Sequence, residues 1–193
     1  HRRFGKTVCM INHLIKSALM CKEKNPRFAY IAPTFKQAKT IAWDYMKQFT
    51  DKIPHTKFNE TELRVDLPNG ARITLLGSDS PDGLRGIYLD GCVIDEYANV
   101  NSKLFPEIIR PALSDRKGYC VFIGTPAGMN NNFYELYQHA NGADDWFNYK
   151  AKASETNIVD EDELVKAKEV MGDKKYQQEF ECDWIANIEG AVY

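Results

Sequence analysis

Apolar positions recur along this chain in two alternating rhythms, helical and strand-like. Val8, Ile11, Leu14, Ile15 and Leu19 fall at helical spacing and predict a helix from Thr7 to about Met20. Arg27-Phe28-Ala29-Tyr30-Ile31-Ala32, closed by Pro33, reads as a short buried strand. The helical period returns from Phe35 to Phe49, with Ala38, Ile41, Ala42, Tyr45 and Met46 on the apolar face. Leu63 to Leu67 and Ala71 to Leu76 alternate apolar and polar around Pro68-Asn69-Gly70, which predicts a hairpin added antiparallel at a sheet edge.

Ser78 to Gly86, rich in Ser, Asp, Pro and Gly, is a loop, and Ile87 to Ile94 is the strand it feeds. Leu104 to Leu113 is a helix with Pro106 in its first turn, and it stops or kinks near Pro111. Tyr119 to Ile123 is a further buried strand ending in Gly124-Thr125-Pro126-Ala127-Gly128, and Trp146 to Ala153 reads as another. Composition then turns charge-rich, with helices over Asp160 to Met171 and Lys174 to Glu181. The alternation predicts an α/β fold, a mainly parallel sheet flanked by helices. Residues 1–153 form its core, and residues 154–193 a small helical lid.

Composition narrows the class without naming a chemistry. A length of 193 residues suits one substantial domain with a small appendage. Apolar content of 44% and charged content of 27% are those of a soluble protein, and no apolar stretch nears the ~20 residues of a membrane span. No signal-peptide pattern opens the chain, so export is not indicated. Five cysteines without CxxC spacing argue against a disulfide framework or a zinc site; Cys92 and Cys120 lie in apolar runs and are expected in the core. A net charge of −2 announces no nucleic-acid partner, which would need a local patch.

The chemistry lies in two motifs. Arg2-Arg3-Phe4-Gly5-Lys6-Thr7, leading into a helix, has the form of the second half of a GxxxxGK[ST] phosphate loop, in which backbone N–H groups and the helix N-terminus surround phosphates. Lys6 would reach the β and γ phosphates and Thr7 would coordinate Mg²⁺. Counting back from Gly5, the first glycine position falls one residue before His1, so the loop and its strand are expected to be cut by the chain start. Cys92-Val93-Ile94 empties into Asp95-Glu96, the order in which an ATPase with an added glutamate holds the Mg²⁺ shell and then deprotonates the attacking water. Taken alone, the dipeptide reads equally as two solvated carboxylates at a strand end.

Gly124-Thr125-Pro126 ends the next strand, where Thr125 would sense the γ phosphate; the plainer alternative is a Gly/Pro turn. At the carboxyl ends of their strands, Gly5, Asp95 and Thr125 are expected to converge on one crevice. Arg2 or Arg3 within the loop, or Arg85 in the following Gly/Asp-rich loop, would stabilise charge on the transferring phosphoryl group. The alternative for each is a pairing with surface carboxylates.

These motifs, with Tyr30-Ile31-Ala32-Pro33-Thr34-Phe35-Lys36-Gln37-Ala38, Gly83-Leu84-Arg85-Gly86 and the closing Tyr176-Gln177-Gln178-Glu179-Phe180-Glu181-Cys182-Asp183-Trp184, closely resemble the large terminase subunit of tailed bacteriophages. The resemblance implies a RecA-like ASCE P-loop core and an ATPase that assembles as a ring, usually a pentamer, on the portal protein of a procapsid. There, in the host cytoplasm and beside the small terminase subunit, it would drive double-stranded DNA inward. It further implies that Arg3, Phe4, Gly5, Lys6, Thr7 and Thr125 bind ATP, that Thr7 and Asp95 hold Mg²⁺, and that Glu96 is the catalytic base. Arg85 would be a finger acting on the adjacent subunit, and Arg2 or Arg3 the alternative finger in cis. Such subunits carry a carboxyl-terminal RNase H-like nuclease, which is not expected before Tyr193. A superfamily 2 helicase shares the motifs but needs a second RecA-like domain, and an inert assembly module would not need Lys6, Thr7, Asp95 and Glu96.

Overall fold

In the computed structural model, which describes residues 1–80, 84 and 86–185, the apolar runs form the strands β1 (Arg27–Ala32), β2 (Lys57–Asn59), β3 (Arg64–Asp66), β4 (Arg72–Gly77), β5 (Gly91–Ile94) and β6 (Tyr119–Phe122). They make one sheet in the order β2-β3-β4-β1-β5-β6. Strand β1 pairs parallel with β4 and β5, and β5 parallel with β6, while β2, β3 and β4 are antiparallel. The expected hairpin is present, but its second strand is part of the parallel core and the edge is β2, a short half-exposed strand with no clear apolar alternation. This sheet and the segments around it form one compact unit, Lys6–Ile123; His1–Gly5 and the chain from Gly124 onward form another.

Within the first unit, α1 (Lys6–Met20) buries Ile11, Leu14, Ile15 and Ala18, the expected apolar face shifted off Leu19. Phe35 to Thr50 is not a single α-helix. It consists of α2 (Phe35–Ala38), a π turn (Lys39–Trp43) and α3 (Asp44–Thr50). A π turn inserts a residue and rotates the next helical turn, so Trp43 is buried with Ala38, Ala42 and Met46 while Ile41 and Tyr45 are exposed. The expectation of a strict 3.6-residue face failed there. Thr34 starts α2 with a capping box shared with Gln37.

Strand parity assigns the two faces. Phe28, Tyr30 and Val93 join Ile73, Leu75, the α1 residues and Met46 in one core. Fully burying an Ile, Leu or Met side chain contributes about 1.5–3 kcal/mol. On the other face Phe122 meets the rings of Tyr97 and Phe105 at 4.7 and 4.8 Å. There Cys92 and Cys120 lie side by side as free thiols 3.4 Å apart, Cys92 buried and Cys120 partly so. The helix expected over Leu104–Leu113 is a π turn (Phe105–Ile109) followed by α4 (Arg110–Ser114). Pro111 does not stop it: Pro111 stands in the first turn of α4, where a missing N–H is tolerated. Strand β5 begins at Gly91 and not Ile87, because Leu89 donates its N–H to Ala112 instead of to a ladder.

The second unit carries α5 (Asn132–Ala140), α6 (Ala153–Thr156), α7 (Glu161–Met171) and α8 (Asp173–Glu179). Helix α5, with no counterpart in the sequence reading, is capped by the Asn131 side chain, which accepts from Phe133 and Tyr134 N–H. Its rings of Phe133, Tyr134 and Tyr137 surround Trp184. That packing joins residues on both sides of position 153, and the longer segment of the unit runs from Gly124, well before the composition shift. No strand forms over 146–153: Phe147 and Tyr149 are exposed, the Ala151 carbonyl oxygen accepts from the His1 amino group and the Cys182 thiol, and the Ala153 N–H donates to Phe180. Ala153, Tyr176 and Phe180 form a small core under α7. Among the described residues no helix is long and apolar enough to cross a membrane.

Candidate active site

Thr7 stands in the first turn of α1 and Asp95 directly follows β5, and the fold brings them together. Thr7 Oγ1 donates to Asp95 Oδ2 at 3.2 Å. The Asp95 N–H continues the β1–β5 ladder by donating to Ile31 carbonyl oxygen at 2.8 Å, which fixes the residue at the carboxyl end of the strand. Strand register explains the side it serves. Tyr30 lies opposite Val93, so Tyr30, Val93 and Asp95 share the sheet face on which α1 packs.

Asp95 is buried, and a buried carboxylate must be hydrogen-bonded. Its Oδ2 accepts from Thr7 and from the Tyr30 hydroxyl, and its Oδ1 accepts the Glu96 N–H at 2.8 Å. Burial, then the adjacent Asp95 charge, push the Tyr30 phenol far above its ordinary range, so it remains a donor. Sequence reasoning missed Tyr30 here. Its signal was a hydroxyl-bearing residue inside the apolar run Phe28–Ala32, two positions back in register from the carboxylate.

Glu96 is half-buried and adopts φ 46°, ψ 47°, the left-handed region, in a residue with a full side chain. That conformation costs about 1–2 kcal/mol. Bonds on both sides hold it: its N–H to Asp95 Oδ1, and the Asn99 N–H to its carbonyl oxygen at 2.8 Å. Strain of this kind concentrates at functional positions. It turns the chain sharply from β5 into a 3₁₀ turn, Tyr97–Asn99.

The remaining sequence-predicted residues divide between the units. Lys6, half-buried, opens α1. Arg3 and Gly5 have φ of 63° and 80°, so the segment before α1 is tightly turned as a phosphate loop requires. Arg2 and Arg3, both exposed, stand 3.9 Å from Glu179 and Glu163 in their own unit, the surface pairing that was the alternative to a finger role. Phe4 packs against His1 and Tyr149, at ring-centroid distances of 5.1 and 6.3 Å. Thr125 is half-buried and belongs to the second unit. Arg85 lies outside the described residues.

These residues fit a magnesium–nucleotide complex. One hydroxyl and one carboxylate meet at the N-terminus of a 15-residue helix. Among the described residues no three His, Cys, Asp or Glu side chains are grouped to hold a metal. Mg²⁺ is usually held in this way, by one or two protein oxygens plus substrate phosphates.

Comparison with known proteins gives the same direction. The family model described as terminase large subunit, T4likevirus-type, N-terminal, matches residues 2–193. Terminase large subunits of Thermus phage G20c and Thermus virus P23-45 are each 31% identical over a segment covering 55% of this chain and 26% of theirs. The chain thus spans about a quarter of the length of these curated relatives. The large terminase ATPase domain of Thermus phage P74-26 superposes with a TM-score of 0.77 at 20% identity, covering 95% of this chain and 86% of that one. The large terminase of another thermophilic bacteriophage, in complex with ATP-gamma-S, gives 0.77 at 15% identity, covering 95% and 46%. At these identities the likeness is one of fold.

Proposed function

We propose, since the chain belongs to the T4-like terminase large-subunit N-terminal family, that it is an ATP-hydrolysing domain of a DNA-packaging motor. The observation that carries the reading is the Thr7–Asp95 contact at the head of α1, the pair that a magnesium–nucleotide complex needs in place. In this proposal Arg3, Phe4, Gly5 and Lys6 surround the phosphates of ATP. Thr7 and Asp95 hold Mg²⁺, which when bound neutralises phosphate charge. Glu96 accepts the proton of the attacking water, and its strained backbone fixes where that carboxylate starts. Thr125 reads the γ phosphate. Charge on the transferring group is met by Arg2 or Arg3 in cis or by Arg85 from a neighbouring subunit.

The partners follow from the family and form part of the proposal: double-stranded DNA, a portal protein, a small terminase subunit, and further copies in a pentameric ring, docked on a procapsid in the host cytoplasm. With a chain net charge of −2, DNA contact depends on local basic groups, so DNA stimulation of the ATPase should fall steeply with salt. Phosphate release by the chain and by Glu96→Gln tests the central step. A loss of about 10²–10⁴-fold is expected for a general base, and an unchanged rate overturns the assignment.

A further inference from the structure

We propose that the Tyr30 hydroxyl is a positioning group for the metal-shell carboxylate, leaving Asp95 a single directed acceptor site for the cation's hydration shell. This rests on the magnesium–nucleotide reading above. The geometry that carries it is the convergence on one buried carboxylate of three donors from three separate elements: Thr7 from α1, Tyr30 from β1, and the Glu96 backbone after β5.

A carboxylate offers about four acceptor positions, two on each oxygen. Thr7 and Tyr30 take those of Oδ2 and the Glu96 N–H takes one on Oδ1, which leaves one. The consequence for Thr7 is equally specific. Its hydroxyl proton is committed to Asp95, so its oxygen lone pairs are what it offers to a cation. An aspartate χ2 is a soft torsion with broad wells, and one donor per oxygen would let the carboxylate plane swing. Tyr30 is fully buried in β1, at the parallel centre of the sheet, and it donates to the same Oδ2 as Thr7 of α1, so the carboxylate is held from the strand as well as from the helix.

Packing alone does not account for this residue. Phenylalanine would fill the same apolar volume between β4 and β5 without a hydroxyl to satisfy, whereas the Tyr30 hydroxyl is aimed at the Asp95 carboxylate. Partners of this outer kind change metal affinity by about 10–100-fold when removed.

The test is a titration of Mn²⁺ into the full chain bound to a non-hydrolysable ATP analogue, followed by the electron paramagnetic resonance of free Mn²⁺. Wild type, Tyr30→Phe and Asp95→Asn are compared. Tyr30→Phe is expected to weaken Mn²⁺ binding by about tenfold or more, while its affinity for the analogue without metal stays near wild type. A purely structural tyrosine would instead lower both affinities together, and that result overturns the proposal. So does a Tyr30→Phe affinity within about twofold of wild type when Asp95→Asn has lost binding. If wild type and Asp95→Asn bind Mn²⁺ equally, the magnesium–nucleotide reading has failed and this inference with it. Should Tyr30→Phe not fold, ¹³Cζ-tyrosine placed at position 30 of the otherwise wild-type chain gives a second measurement during a Mg²⁺ titration. Its resonance must shift with metal occupancy; a resonance that stays fixed while metal binds overturns the proposal.

Discussion

Replacing Glu96 by glycine and, separately, by alanine isolates the cost of the left-handed backbone that the fold imposes there. Both variants lack the carboxylate, so they differ in whether φ 46°, ψ 47° is penalised and in the backbone freedom lost on folding. For an L residue that region costs about 1–2 kcal/mol, which glycine escapes. Against this, glycine loses about 0.5–1 kcal/mol more than alanine in ordering its backbone. The net expectation is Glu96→Gly more stable than Glu96→Ala by about 0.5–1 kcal/mol, or about 1–4 °C in thermal midpoint for a chain of this size. Scanning calorimetry of the two proteins, with phosphate release measured in parallel, is the assay. Both are expected to be inactive, since neither can accept a proton from water. An alanine variant as stable as the glycine variant would mean that the turn after β5 is not strained. The idea that the fold spends stability to set the position of Glu96 would then be wrong.

A methyl group at Gly77 would fall 2.2 Å from the Phe35 backbone nitrogen, where β4 ends against the start of α2. Gly77→Ala should therefore cost about 3 kcal/mol, the upper end of overpacking, lowering the thermal midpoint by about 6–12 °C; a midpoint within about 1 °C of wild type refutes the close approach. At Asp66, burial raises the carboxyl, but the hydrogen bond and charge of Arg72, with Arg64, outweigh it and hold the group below its ordinary range. Its folded-state pKa is depressed, so the stabilisation is present above the unfolded value near 3.8 and lost as pH falls through the lower folded value. Asp66→Asn should lower the urea midpoint at about pH 6 and do so progressively less as pH falls below the unfolded value, whereas a loss that does not change with pH would show that the ion pairs contribute nothing.

The elements that sequence pattern located well are those in which local period and tertiary burial agree. Arg27–Ala32 is apolar at nearly every position because β1 sits between two parallel neighbours and is covered on both faces, so its limits match the pattern. Helix α1 has the same legibility, with Ile11, Leu14, Ile15 and Ala18 on one stripe. Pattern misled where the backbone departs from an integer rule. The π turn at Lys39–Trp43 placed Trp43 inward and Tyr45 outward, and a second π turn took in Pro106 and ran on into α4, whose first turn holds Pro111. The aromatic run at 146–149 looked like a strand because alternation alone cannot say whether a partner strand exists to receive it.

The site divides along the same line, and the division has a chemical cause. Lys6, Thr7, Asp95 and Glu96 could be nominated from sequence because a phosphate loop and a strand-terminal carboxylate pair constrain residue type at fixed spacing, and of these the fold brings Thr7 and Asp95 into contact. Tyr30 was not, because it reaches Asp95 through the register of two parallel strands, and register is a long-range property that neither segment encodes alone. Nor was the left-handed conformation of Glu96, since nothing local favours it: glutamate has no intrinsic preference for that region. Hydrogen bonds to its neighbours Asp95 and Asn99 hold it, and the Tyr97 N–H donated to the Ile123 carbonyl oxygen ties the turn to the end of the next strand. Motif reading therefore nominates the reacting groups of the proposed ATPase. Their positioning, by a phenol from the neighbouring strand and a strained turn, comes from the fold, so variants at those two points should separate binding geometry from chemistry.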